Sequence, residues 1–445
     1  MIFVYVCREK KNKCLKNLRS MKTINLTFRI HQPYRLKRYR FSEIGNDHYY
    51  YDDFLNEDRI RTVAERCYLP ANRLLLEMIK NTGNRFKVSF DISGVALDQM
   101  EIYTPEVIDS FKELAVTGNV EFLGGTFSHS LSALHTEEEF VYQTKCHSHK
   151  LKSLFGVTPQ VYCNTALIYS EQIAQMTERM GFRAILAEGA PGVLGWRSPN
   201  YLYKSSAAPS LKLMFRHAGL SEDVSLRFQS ADWSQYPLNA EKYMTWIAAL
   251  PPEEQLVNLY MNYEVLGGKY GVETGIFDFF RALPEQGAAR GIGFTTPSEI
   301  LKLLKPVDAV TVSSPVSYQG DKTLTPWLGN ELQRAAFDRI NRIGAQVASL
   351  SNRRLIQEWL YLASNDHLRY MESGLIGRSP SSTPYETPFS AFGNYMNVLS
   401  DFAARVATQL PPTHESDEQN PLLSTIRRQE EEIAALEKEM KKYKK

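Results

Sequence analysis

Val161-Tyr162-Cys163-Asn164-Thr165-Ala166-Leu167-Ile168-Tyr169-Ser170 is the stretch on which the reading of this chain turns. It follows Gly156 and Pro159, runs apolar and β-branched, turns polar at Asn164 and Thr165, and gives way to a helical pattern over residues 170–180. A short apolar run bounded by turn residues reads as a buried strand, and polar residues at its carboxyl end open a loop. In an α/β barrel that end of a strand carries the chemistry.

The same strand-then-helix unit recurs on both sides. Residues 23–30 alternate apolar and polar into His31-Gln32-Pro33, where the proline stops the strand. Further strands are expected over residues 86–92, 120–125, 182–187, 211–216, 223–228, 256–260 and 291–295. Helices are expected over residues 57–82 with a break or kink at Pro70, and over 104–115 and 137–155. Thr296-Pro297-Ser298-Glu299 opens another by capping-box logic. About seven alternations between residues 23 and 305 predict a parallel sheet closed by helices, and periodicity leaves open sheet and barrel undecided.

From residue 328 to 407 the pattern turns helical, opening at Trp327-Leu328-Gly329-Asn330, with Phe389, Phe392, Tyr395, Met396 and Leu399 spaced for one apolar face. This predicts a helical domain over residues 306–410 packed on a barrel domain over 21–305. Residues 411–420 read as a linker. Leu422, Ile426, Ile433, Leu436, Met440 and Tyr443 then take heptad positions, so residues 421–445 are expected either to self-associate as a short coiled coil or to form a solvated charged tail.

A chain of 445 residues with 43% hydrophobic content can bury one large domain and a smaller one, and a net charge of +2 gives no electrostatic case for nucleic acid. Five cysteines without paired spacing predict a reducing compartment and no disulfide framework. No apolar run approaches the ~18 residues needed to span a bilayer. Residues 1–20 place a short apolar piece before a basic run, the reverse of a signal peptide, and Met21 is a natural start for the first strand. We therefore expect residues 1–20 to be an upstream extension and the protein to be cytoplasmic. Cys146-His147-Ser148-His149 reads as a solvated helix face rather than a metal cluster.

Five separated motifs resemble, in order, those of the glycoside hydrolase family 57 α-amylases: His31-Gln32-Pro33, Glu121 to Leu131, Asn164 to Ser170, Met261 to Phe277, and Trp327 to Asn330. The resemblance spans roughly residues 22–410 and implies an incomplete seven-stranded (β/α) barrel followed by a helical domain. It implies α-glucan or malto-oligosaccharide as ligand, with no cofactor and no metal. It also places the nucleophilic glutamate at Ala166 and the acid/base aspartate at Asn262. Gly125 stands where comparable members carry an acidic residue.

A retaining glycosidase needs two carboxyl groups ~5 Å apart, one to attack the anomeric carbon and one to exchange a proton with the leaving oxygen. Alanine offers no nucleophile, and asparagine cannot transfer a proton at a useful rate. The expectation is a carbohydrate-binding pseudoenzyme whose cleft is furnished by His31, Glu121, His129, Trp233, Tyr263, Glu264 and Trp327. Three alternatives stay open. One is an active hydrolase or glucanotransferase using displaced carboxylates such as Glu264, Glu188 or Glu121; another is a scaffold assembling through residues 421–445; the third is a pair of changes introduced to trap substrate.

Overall fold

A computed structural model describes residues 22–375 and 383–410. The expected extension, linker and coiled coil lie outside the described residues. Among the described residues ten strands alternate with helices: β1 (Lys22–Ile30), β2 (Val88–Ile92), β3 (Val120–Phe122), β4 (Val161–Cys163), β5 (Ala184–Glu188), β6 (Leu202–Ser205), β7 (Lys212–Arg216), β8 (Leu256–Asn262), β9 (Ile292–Phe294) and β10 (Ala309–Val310). Parallel pairing runs β8-β1-β2-β3, passes to β4 through a Gly124–Tyr162 bridge, continues β4-β5-β7, and returns to β8 where Arg216 pairs with Asn258. The ring is a seven-stranded parallel barrel. β9 joins the start of β1, while β6, antiparallel to β7, and β10 extend it outward.

Strand parity decides what faces the lumen. On β1, Ile24, Leu26, Phe28 and Ile30 pack outward against helices, in one core with Phe90, Phe111 and Phe280. The alternate residues Asn25, Thr27, Arg29 and then His31 turn inward, and Asn25 bonds Asn258 and Thr27. Much of the rest of the lumen is apolar, with Leu123, Val161, Cys163, Leu186, Met214 and Tyr260 gathered over Ile300. Ile300 belongs to helix Pro297–Leu303, which closes the amino-terminal end of the barrel behind the expected capping box at Thr296.

Several expected elements change. Residues 223–228 form no strand, because helix Ala218–Ser225 begins directly after β7, capped by His217. The helix expected over residues 57–82 is Asp53–Val63 and Leu69–Asn81 joined by a wider turn at Ala64–Tyr68. Pro70 supplies the reason, since it has no N–H for the Arg66 carbonyl. Helices Glu331–Val347, Arg353–Leu362 and Pro388–Ala407 share a core with outward residues of the barrel such as Tyr162, Ile185 and Phe215. The buried face of the last helix is Ala391, Tyr395, Val398, Leu399, Phe402 and Val406, whereas Phe389 sits on its first turn and is exposed. No helix among the described residues is long and apolar enough to cross a membrane.

Candidate active site

The carboxyl ends of the strands bring polar groups to one mouth. β1 delivers Arg29 and His31; β2 delivers Asp91 and then Ser93; β5 ends in Glu188, β7 in Arg216, and β8 in Asn262 followed by Glu264. His31 is held on both sides: Nδ1 lies 2.7 Å from Ser93 Oγ and Nε2 lies 2.7 Å from Asp366 Oδ2. Burial opposes ionisation of Asp366, but the His31 imidazole and the Ser364 hydroxyl outweigh it and hold its carboxyl well below the usual range.

His129 stacks on His31 with ring centroids 4.4 Å apart. Trp327 Nε1 donates to Asn365 Oδ1 at 2.8 Å, and indole N–H can only donate, so the amide of Asn365 is oriented. Its Nδ2 then donates to His129 Nδ1 at 2.6 Å. Burial, with Arg29 and His31 nearby, depresses the His129 pKa well below the ordinary histidine value. A neutral imidazole whose Nδ1 accepts carries its proton on Nε2, and that buried nitrogen has no partner. His31, His129 and Asp366 place potential ligand atoms within 4.8 Å of one another. Metal ligation needs a free lone pair on His129, and this network leaves none. What the cluster leaves open is one donor, His129 Nε2.

Ala166 and Asn262 stand on the same end of the barrel, after β4 and at the end of β8. A strap over residues 316–322 crosses this end of the barrel. Val316 pairs with Tyr169, Tyr318 N donates to the Ala166 carbonyl at 3.0 Å, and Arg29 Nη1 donates to the Tyr318 hydroxyl at 2.6 Å. The Tyr318 ring lies 5.7 Å from the Arg216 guanidinium and 5.8 Å from the Tyr260 ring. Ala166 is left 1% exposed. Beside the strap a cleft of about 550 Å³ is lined by Arg216, Tyr260, Asn262, Glu264, Tyr318 and Lys322. Among the described residues, four of the five non-glycine residues with left-handed backbone, His129, Ala166, Leu167 and Lys322, are at this end. Such backbone costs roughly 1 kcal/mol each and gathers at functional sites.

Among the residues expected in the cleft, the structure brings His31, His129, Glu264 and Trp327 to the mouth, Trp327 through Asn365. Glu264 Oε1 accepts from Gln32 at 2.9 Å and Tyr68 at 3.2 Å, and burial raises its pKa against the lowering pull of Arg29 and these bonds. Three others are elsewhere. Tyr263 is fully buried outside the barrel, its hydroxyl on Asn72 at 2.6 Å, because parity turns it away from Asn262 and Glu264. Glu121 faces inward but one layer below Leu123, where it accepts from Ser298 N at 2.8 Å at the closed end. Trp233 packs edge-on against Trp246 beneath Arg227 in the outer helical layer.

Glu188 is fully buried and bound by Arg216 at 3.2 Å and Lys322 at 2.9 Å. His147 is also buried rather than on a solvated face, bonding the Ile92 carbonyl at 2.6 Å and accepting from Gly125 N at 3.1 Å. Sequence reasoning did not single out Arg29, Tyr318, Asn365 or Asp366. Parity with His31 was a signal for Arg29; the rest arrive from segments distant in sequence.

This geometry defines a class: a parallel seven-stranded barrel with a polar, ligand-sized mouth at the carboxyl ends of its strands, roofed by elements that follow the barrel. More particularly, the chain belongs to glycosyl hydrolase family 57, whose model matches residues 25–313. It is 37% identical over 397 residues to a Methanocaldococcus jannaschii protein named "Putative alpha-amylase", covering 85% of this chain and 84% of that one. Among solved structures, a 4-alpha-glucanotransferase from Thermococcus litoralis superposes with TM-score 0.64 at 14% identity over 88% of this chain and 60% of that one. A branching enzyme from Thermococcus kodakaraensis gives TM-score 0.60 at 13% identity over 80% and 86%. At these identities the two solved structures speak to the fold.

Proposed function

We propose that this chain binds α-glucan or malto-oligosaccharide at the barrel mouth without hydrolysing it. The observation that carries the reading is Ala166, 1% exposed with its carbonyl held by Tyr318 N, and the neutral Asn262 on the wall of the adjoining cleft. Neither position can form a glycosyl-enzyme or pass a proton. Loss of a nucleophile that works as part of a unit costs on the order of a million-fold in rate. The remaining furniture suits a pyranose: bare or half-used donors on His129 and Arg29, the Tyr318 and Tyr260 rings, and the Glu264 carboxyl. The names of the relatives supply α-glucan as the ligand class.

Affinity electrophoresis through glycogen or amylose gels tests this. The expected outcome is retarded migration together with reducing-sugar release at background. Unretarded migration removes the glycan-binding reading.

A second reading, hydrolysis or transfer through displaced carboxylates, is favoured by one observation. Glu264 opens into the cleft on the same parity as Asn262, and burial raises its pKa as a general acid requires. Reducing-sugar release well above background that disappears in Glu264→Gln would establish that reading and end the pseudoenzyme one.

A further inference from the structure

Where the first turns of helix Glu137–Phe155 meet the end of helix Glu331–Val347 and helix Arg353–Leu362, the surface carries a groove of about 500 Å³. Its lining is mostly apolar, with Tyr142, Ala345, Val347, Leu350, Ile356 and Trp359. The Trp359 indole packs over Gly344, where an added Cβ would stand 2.9 Å from Nε1, and that buried nitrogen has no hydrogen-bond partner among the described residues. On the rim, Glu139 holds His135 at 3.3 Å, while Glu138 is exposed and meets no cation among the described residues. Such a groove takes apolar side chains presented by a helix. A sugar needs more convergent polar groups than it offers.

The chain itself supplies an occupant of that kind. Ile433, Leu436, Met440 and Tyr443 recur at three- and four-residue spacing, one face of a helix, with Lys438, Lys441, Lys442, Lys444 and Lys445 among and after them. The described chain also ends near the groove. Helix Pro388–Ala407 runs antiparallel to helix Arg353–Leu362: the Tyr395 hydroxyl donates to the Leu362 carbonyl at 2.8 Å, and further along Arg405 bonds Glu358 at 2.6 Å. Leu410, beyond that helix, packs against the same core as Val347, Leu355 and Trp359. Residues 411–420 alone reach roughly 33 Å when extended, so distance is no obstacle. Charge agrees, since a lysine-rich end would meet Glu138 and Glu139 on the rim.

We propose that this groove is the docking site of residues 433–443 of the same chain, which fold back as a helix with Ile433, Leu436, Met440 and Tyr443 in the groove and the lysines toward Glu138 and Glu139. The docking is intramolecular, in place of the coiled coil or solvated tail that the heptad pattern alone suggests. Two physical terms favour it. A coiled coil of about three heptads is marginal by itself, and a tethered segment meets its own groove at an effective concentration in the millimolar range. Helix Arg353–Leu362, one wall of the groove, leads into Ser364, Asn365 and Asp366, so the occupant braces the element that fixes His31 and His129. The proposal stands apart from the glycan-binding reading.

Hydrogen exchange of the full chain read by mass spectrometry, with sedimentation at two well-separated protein concentrations, tests it. Amides of residues 433–443 should exchange at least about tenfold more slowly than in a free peptide, equally at both concentrations and in a monomer. Ala345→Arg, at an exposed position on the groove wall, should remove that protection while leaving the amides of helix Pro388–Ala407 unchanged. Should that variant disturb the helical part, Leu436→Asp, in the segment itself, should remove the protection in the same way. Glu138→Lys should weaken it several-fold at low salt and little at roughly 0.5 M. Protection that rises with concentration alongside a dimeric mass shows tails pairing between copies and overturns the proposal. Absence of protection shows a solvated tail and overturns it, as does protection that survives Ala345→Arg in an otherwise intact fold.

Discussion

At the scale of one residue, Ala166 differs from a disabled nucleophile that could simply be replaced. Its backbone is left-handed, at φ 52°, and its carbonyl is held by the Tyr318 amide. The side chain that would carry a carboxylate therefore starts from a buried backbone fixed to the strap, whose tyrosine ring is bonded to Arg29 and leans on Arg216. A glutamate here must displace that ring or bury its charge, and the second option costs several kcal/mol. We expect Ala166→Glu with Asn262→Asp to leave reducing-sugar release from amylose at background, and the triple variant with Tyr318→Ala to raise it measurably. Activity in the double variant equal to that of the triple would mean that Tyr318 yields without resistance, and that the strap has no part in keeping this mouth silent.

At the scale of the element, β8 and its sequel show what sequence could and could not reveal. The strand, its end at Asn262 and the inward turn of Glu264 are all legible from an apolar run and period-two parity. The same parity excludes Tyr263, whose ring packs 4.9 Å from Phe28 outside the barrel. The motif from Met261 to Phe277 thus carries residues of both faces. Glu121 has the right parity but the wrong height, since only the floor helix through Ser298 reveals which end of the barrel it serves. The strap and Asp366 were not legible, because their places depend on contacts spanning hundreds of residues with no local pattern.

The loop after β8 also shows how one element positions another. The turn at Ala64–Tyr68 presents the Arg66 carbonyl to Gly267, where φ is +87° and an added Cβ would overlap that oxygen. Backbone meets backbone there, so no rotamer change can relieve the clash. Gly267→Ala should destabilise the fold by more than about 3 kcal/mol, combining overpacking with left-handed strain, and urea denaturation measures it. A loss below about 1 kcal/mol would mean that the Glu264 loop moves freely, which would weaken any mechanism that needs that carboxyl in place.

At the scale of the whole molecule, the helices after the barrel complete the site as well as covering a face. Asp366 fixes His31, Asn365 and Trp327 fix His129, and Asp401 accepts from Tyr50 at 2.6 Å and Gly45 N at 2.7 Å. Buried histidines make this assembly acid-sensitive, and His147 and His367 act with His129 in this. His147 joins helix Glu137–Phe155 to the ends of β2 and β3, and His367 stacks on Tyr395 within the helical part, with centroids 4.9 Å apart. Burial lowers both pKa values to about 4 from 6.5. The unfolded chain therefore binds protons that the folded one refuses, so their contribution is present above pH ~6.5 and is lost as pH falls toward ~4. Each histidine should remove about 2 kcal/mol between pH 7 and pH 5. Carboxylates such as Asp366, depressed in the folded state, act only below about pH 4, whereas Asp91 and Glu264, raised by burial, act in the opposite sense, so the loss is read as the difference between the natural chain and a histidine variant. Urea midpoints at pH 7 and 5, for the natural chain and for His147→Gln, measure the loss. The variant should start less stable at pH 7 and lose less on acidification, whereas parallel losses would show that His147 protonates without opening the junction of helix and barrel.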